Sequence, residues 1–275
     1  MDGFNQVLTR SFEAVVSPMY AWPLLTLLLL AIVSGILMSL VFKYVSNQQA
    51  LATVLDRGRG NALAIKLFKD DMRGMFYSLA NVLGLMLKRI WYSLSPVLVL
   101  SIPLFFLLSQ IYLRYENRPL EIEEPTVFEL RLNETSWESA NDVALTTSEN
   151  VLIETPALRD ELDRSIAWRI SAKTAGVHTI KVNFADAEVE KSLIACSTGQ
   201  LQQVSEVRPG TNWAERLWFA GETSVDSVHG IESLSVNYPK RSLPIFGYPL
   251  PWWLTYFIVS ILAALLSQPL VKVRF

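Results

Sequence analysis

The stretch WYSLSPVLVLSIPLFFLLSQIYL, Trp91 to Leu113, carries no charged residue. A helix crosses about 30 Å of hydrocarbon with roughly 20 apolar residues, so this run is long enough to span a bilayer. Two further runs match it: AWPLLTLLLLAIVSGILMSLVF (Ala21–Phe42) and YPLPWWLTYFIVSILAALLSQPLV (Tyr248–Val271), both uncharged. Outside these blocks the chain is ordinary in polarity. The whole-chain figures, 51% hydrophobic and 18% charged over 275 residues, therefore reflect three local excesses. The first run is longer than a signal-peptide core, and its basic residue Lys43 follows it, so it is expected to be an uncleaved anchor.

Charge sorts the segments between the spans. Lys43–Arg89 carries eight Lys/Arg against three Asp/Glu, a net +5, whereas Arg114–Gly247 carries thirteen against twenty-one, a net −8. Basic flanks resist translocation. The expected layout is an extracytoplasmic N-terminal tail (1–20), span one (21–42), a cytoplasmic segment (43–90), span two (91–113), an extracytoplasmic domain (114–247), span three (248–271) and a cytoplasmic tail (272–275). Tyr20, Trp22, Trp91, Tyr92, Tyr112, Tyr115, Trp252 and Trp253 fall where interfacial aromatics sit.

Within the basic segment, Phe68, Met72, Phe76, Leu79, Leu83 and Met86 recur at steps of three and four, the helical period. Asp56-Arg57-Gly58-Arg59-Gly60 is expected to break the helix, because glycine is a poor helix former and suits turns. This predicts a helical hairpin with its turn at Gly58–Gly60. Its apolar stripe is expected to pack on the first arm, to lie in the headgroup layer among anionic lipids, or to dock another protein. No basic run with interleaved aromatics points to nucleic acid.

From Thr126 the period changes to two. TVFELRL, AWRISA, VHTIKVNF, VEKSLIAC, LQQVSEV and IESLSVNY are predicted strands, bounded by turns such as Arg208-Pro209-Gly210. Six short strands at this spacing predict an antiparallel β-sandwich. Leu158–Ile166 is expected to be a short helix or a loop, and Glu121–Pro125 a linker. Cys196 is the sole cysteine, so the domain relies on its core rather than on an internal disulfide. The fold class is thus an α+β membrane protein.

Two separated histidines and one cysteine make a poor ligand set for a metal. His178 is expected on an outward strand position and His229 in a turn. No phosphate loop, dinucleotide fingerprint or Gly-x-Ser-x-Gly occurs. The spans hold no ionisable side chain apart from tyrosine, which argues against an ion pathway of their own. Ser34-Gly35 and Ser39 are positioned to let helices approach closely. Neither a cofactor nor catalysis is expected.

The stretch WRISAKTAGVHTIKVNF resembles paired strands of immunoglobulin-like or fibronectin-like domains. The layout of Ala21–Leu113 and Tyr248–Phe275 resembles the three-helix branch of the YidC-type insertase superfamily. That resemblance implies a groove easing insertion of hydrophobic segments, with Lys43, Lys88 and Arg89 at its mouth. The residues themselves favour a non-enzymatic subunit or assembly factor of a bacterial inner-membrane complex, binding lipids and protein partners. An insertion factor and an accessory subunit of a transporter are the alternatives.

Overall fold

A computed structural model describes residues 2–46, 48–67, 72–184, 187–197, 201–225, 230–245 and 247–271. The chain is α+β and forms two compact units. One joins Met1–Leu27 to Phe106–Trp252, and the other joins Leu28–Phe105 to Trp253–Phe275.

Helices carry the apolar runs. Helix α1 is Asp2–Val16, α2 is Pro23–Val45, α3 is Gln48–Leu67, α4 is Met72–Tyr115 and α7 is Trp252–Val271; two short helices, α5 (Glu134–Trp137) and α6 (Trp213–Trp218), punctuate the β-rich region. Helices α2, α4 and α7 are each long and apolar enough to cross a membrane. Pro23 opens α2, where its missing N–H costs nothing and its φ is already helical. Tyr248–Leu250 is not the start of the third span. It is a strand, because Pro249 and Pro251 deny the backbone the donors a helix needs, and α7 begins directly after them.

The N-terminal segment forms helix α1. One expectation for the first 90 residues is overturned. Helix α3 runs unbroken through Gly58 and Gly60, so the chain does not turn there. Neither glycine takes a positive φ, and nothing lies within 4 Å of where a Cβ would stand. A glycine costs about 1 kcal/mol in a helix interior, which the flanking Ala, Leu and Arg residues absorb. Phe68–Asp71 lies outside the described residues.

In the second unit, α2 and α7 meet closely. A Cβ on Gly35 would stand 2.3 Å from the Ser260 carbonyl oxygen. Tyr256 Oη donates to Ser34 Oγ at 2.8 Å, and both residues are buried. Small residues admit this approach, as the sequence anticipates.

The first unit holds the sheets. One is ordered β3-β5-β1-β9-β8, with β4 also paired to β5; a second is β2-β6-β7; a hairpin joins β10 and β11. The strands are β1 Pro125–Leu132, β2 Ala144–Thr147, β3 Val151–Ile153, β4 Leu158–Asp160, β5 Ser165–Ala172, β6 Gly176–Phe184, β7 Ala187–Ala195, β8 Val207–Pro209, β9 Ile231–Val236, β10 Leu243–Ile245 and β11 Tyr248–Leu250. All named pairings are antiparallel. Alternation puts Phe128, Leu130, Trp168 and Ile170 of the first sheet in one apolar cluster with Ile180, Val182 and Leu193 of the second. Phe128 faces Trp168 across the β1/β5 register, their rings 5.8 Å apart.

Four details differ from expectation. Leu158–Asp160 is a strand. Leu201–Glu206 is not one; it is irregular backbone until β8. Glu121–Glu124 is a fixed turn, with Glu124 accepting two bonds from Arg118 at 2.8 Å and one from the Glu121 N–H at 2.8 Å. His178 is buried, 7% exposed, and its Nε2 lies 2.7 Å from the Thr174 carbonyl. The burial alternation of β6 turns Val177 outward and His178 in. His229 falls outside the described residues.

Gly58→Ala and Gly60→Ala are expected to stabilise α3, each by up to about 1 kcal/mol, because alanine outranks glycine in a helix. Gly35→Ala is expected to do the reverse, forcing α2 from α7. Thermal unfolding in detergent checks both. A loss on Gly58→Ala matching that on Gly35→Ala would restore the glycine turn.

Candidate functional site

A helix leaves its last four carbonyls without intrahelical donors. Helix α4 ends inside the first unit, where Gln110, Ile111, Leu113, Arg114 and Tyr115 are at most 1% exposed. Two of these carbonyls accept from backbone N–H groups beyond the helix. The Val204 N–H donates to the Leu113 carbonyl at 2.7 Å and the Glu116 N–H to that of Tyr112 at 3.0 Å, while Arg114 Nη1 adds a second bond to the Gln110 carbonyl one turn back at 2.9 Å. This explains why Leu201–Glu206 is not a strand. Its N–H groups serve other elements: Leu201 donates to the Tyr20 carbonyl at 3.3 Å, and Val204 to α4.

Arg114 is the centre of this collar. Its guanidinium is 0% exposed. Nη2 donates to Glu13 Oε2 at 2.7 Å, Nη1 also to Gln110 Oε1 at 3.3 Å, and Nε to Tyr20 Oη at 3.4 Å; the Phe12 ring lies 4.9 Å from Cζ. A cation here also opposes the negative end of the helix dipole. Gln110 Nε2 continues the network to Thr9 Oγ1 at 3.1 Å. Burial, reinforced by Glu13, pushes the Tyr20 phenol up to about 12.

The same collar ties the starts of the other apolar helices. Tyr115 Oη donates to the Pro23 carbonyl at 2.9 Å, at the head of α2. Glu116 accepts from Trp252 Nε1 at 2.7 Å, at the head of α7, and from Lys240 Nζ at 2.8 Å. Burial alone would raise the Glu116 carboxyl, but the bonds from Lys240 and Trp252 outweigh it and hold it below the usual carboxylate range. Glu206 accepts from Tyr112 Oη at 3.2 Å and Asn117 Nδ2 at 2.9 Å.

A more deeply buried ion pair involves Lys191 of β7. Lys191 is 0% exposed, and its ammonium donates to Glu222 and to the Ser205 carbonyl, the latter at 2.7 Å. Glu222 accepts in addition from the Ser192 N–H at 2.8 Å. Burial lowers the Lys191 ammonium, and Glu222 opposes that shift. Beside the pair is a polar cleft of about 280 Å³ lined by Asn5, Gln6, Thr9 and Arg10 of α1 and by Ala220, Gly221, Glu222 and Thr223. Asn5 Nδ2 donates to the Arg216 carbonyl at 2.7 Å, while its buried Oδ1 has no partner among the described residues.

Of the residues singled out from sequence, Lys43 lies exposed in the last turn of α2, and Lys88 and Arg89 are exposed on α4. Arg89 lines an apolar hollow with Met86, Ile90, Leu94 and Val97. Phe76, Leu79, Leu83 and Met86 are all exposed. Phe68 and the Met72 side chain lie outside the described residues. Among the described residues no group of three or more His, Cys, Asp and Glu is placed to hold a metal. The collar escapes a reading of the sequence because Arg114 and Glu13 are far apart in the chain and each is ordinary alone. The usable signal is an arginine abutting an apolar run at a helix end.

No family model, no curated protein and no solved structure matches the chain.

Lys191→Met is expected to cost about 3 kcal/mol by leaving Glu222 charged and unpaired. Lys191→Met/Glu222→Gln is expected to recover most of it, since glutamine still accepts from the Ser192 N–H. Chemical denaturation of the detergent-solubilised chain measures both. Additive losses would show that the pair is not coupled.

The lowered Glu116 carboxyl has a definite pH consequence. Its stabilisation is present above the ordinary carboxylate pKa and is lost as pH falls through the lower folded value. Glu116→Gln should flatten the acid limb of stability against pH; an unchanged limb would remove Glu116 from the linkage.

Proposed function

We propose that this chain is a non-enzymatic binding and assembly subunit of an envelope complex, seated in a bacterial inner membrane by α2, α4 and α7. In this reading α1 and the sheets, a β-sandwich, lie outside the cytoplasm, and α3, the first part of α4 and the C-terminus lie inside. One observation carries it: the buried collar fastens α1, the sheets and the membrane-proximal ends of three apolar helices into one unit. The shared unit also favours α1 and the sheets lying on one face of any membrane the helices cross. The +5 and −8 segments then assign that face to the exterior.

A membrane-insertion factor, the role implied by the insertase resemblance, is the second reading. One observation favours it. An apolar groove of about 380 Å³ runs between α2 and α7, lined by Ile32, Ile36, Val259, Leu262, Ala263, Leu266 and Ser267. Ser34 is closed off by Tyr256, so a passing segment would meet Ile36 or Ser267 instead.

Purification of the full chain in mild detergent after crosslinking in intact cells separates the readings. A stoichiometric envelope protein bound through the sheets supports the first, and an ATPase or permease would redirect it to transport. Nascent apolar segments captured at Ile36 or Ser267 support the second. A reporter at Trp213 facing the cytoplasm would overturn the orientation on which both depend.

A further inference from the structure

We propose that the cleft between α1 and residues 220–223 binds the headgroup of a membrane phospholipid that joins a phosphate to a primary ammonium. Its acyl chains leave along the outward face of α1. The inference rests on the reading of α2, α4 and α7 as membrane spans. Every residue it uses belongs to the first unit.

The side chains that line this cleft of about 280 Å³ have bonding capacity to spare. Asn5 is 5% exposed. Its Nδ2 is committed to the Arg216 carbonyl, and its buried Oδ1 accepts from nothing among the described residues. A buried amide oxygen is costly to leave without a donor. Across the cleft, Glu222 accepts from Lys191 with one carboxylate oxygen and from the Ser192 N–H with the other. Each oxygen keeps a further lone pair. Asn5 and Glu222 therefore both call for N–H donors. Arg10 calls for the opposite. It is exposed, lines the same cleft, and makes no hydrogen bond or ion pair among the described residues. A guanidinium matches phosphate oxygens in a two-bond geometry. Gln6, one turn before Arg10, is equally uncommitted. A cation rich in N–H and a phosphate on one small headgroup satisfy this lining together.

The surface beside the cleft shows what the headgroup is attached to. Helix α1 turns polar residues inward: Asn5 and Thr9 are buried and Glu13 is half-buried. Its outward stripe, Phe4, Val7, Leu8, Ser11 and Val15, follows the helical period and is apolar apart from one serine. Phe4, Val7 and Val15 are exposed. Ser11 Oγ donates to the Val7 carbonyl at 2.8 Å, so that hydroxyl needs no water either. A helix on a water-facing surface has the reverse arrangement, polar side out. An apolar outward side is the mark of a helix that meets acyl chains at an interface.

The direction of α1 sets where those chains run. The Phe4 ring lies 5.3 Å from that of Phe106, Gln110 donates to Thr9 at 3.1 Å, and Arg114 to Glu13 at 2.7 Å. Helix α1 thus runs beside the last turns of α4 in the same direction. Phe4 and Val7 are nearer than Arg10 to the apolar length of the span. A chain that leaves the cleft along the stripe enters hydrocarbon while its headgroup stays at Arg10. The ammonium is primary rather than quaternary, because a trimethylated nitrogen has no N–H for Asn5 Oδ1.

The test uses the full chain, stripped of lipid in mild detergent and given equal amounts of dioleoyl phosphatidylethanolamine, phosphatidylcholine and phosphatidylglycerol. Native mass spectrometry counts the lipid adducts. Phosphatidylethanolamine adducts several-fold above the other two support the site, as does their loss in Arg10→Gln, whose exposed side chain the fold does not use. Asn5→Leu is expected to bring phosphatidylethanolamine down to the level of phosphatidylcholine. Equal adducts of the three lipids, no adducts, or an Arg10→Gln chain that keeps the preference overturns the proposal. Glycerophosphoethanolamine, the same headgroup without chains, is expected to compete many-fold more weakly; competition as strong as that of the lipid overturns the lipid as occupant. Alkaline carbonate extraction of native membranes separates the premises. If the chain stays in the pellet but shows no headgroup preference, only the site fails; if it is released, the membrane reading itself fails.

Discussion

Helix α4 ends in protein, not in water, and so its last carbonyls must find donors within the fold. That requirement organises the first unit. The strap Leu201–Glu206 supplies the N–H of Val204 to the Leu113 carbonyl, and Arg114 folds back to add a bond to the Gln110 carbonyl one turn earlier. An isolated guanidinium so deeply buried would be far too costly to retain. It persists because Glu13, Gln110 and Tyr20 occupy its donors and Phe12 covers its face. The N-terminal helix is thus part of the core of this unit, through one carboxylate that reaches a cation 101 residues away in sequence.

The polar interior is selective in its effects. Burying ion pairs such as Lys191–Glu222 gains little net stability against an apolar replacement, but breaking one is expensive. Their value lies in register. Glu222 holds both the Lys191 ammonium and the Ser192 N–H, so the loop at 220–223 can take only one position on β7. The cleft between that loop and α1 inherits its shape from this pairing. The collar acts likewise on the helices: Tyr115 reaches the head of α2, and Glu116 the head of α7.

The second unit follows a different rule. Its helices expose large apolar side chains such as Leu37, Val97 and Leu266, as expected where lipid rather than water is the solvent. Contact between α2 and α7 is local and depends on small residues, Ser34 and Gly35, facing Tyr256 and Ser260.

Composition and periodicity by themselves determined the three apolar helices, the alternating strands β1, β5, β6, β7 and β9, and the close approach at Ser34-Gly35. Each is a local property, written in run length or in a period of two or 3.6. Tertiary structure decided the rest. Gly58 and Gly60 look like a turn, yet they are helical, because a cost of about 1 kcal/mol each is small beside the continuity of α3. Leu201–Val207 alternates like a strand, yet most of it is a strap, because α4 needed its donors more than a sheet did. His178 looks like a surface residue but points inward, since the register of β6 against β2 and β7 places it there. Arg114 shows locally only as an arginine abutting an apolar run, and Glu13, Lys191 and Glu222 carry no local signature. Their partners are distant in sequence, and only the folded chain brings the opposite charges together.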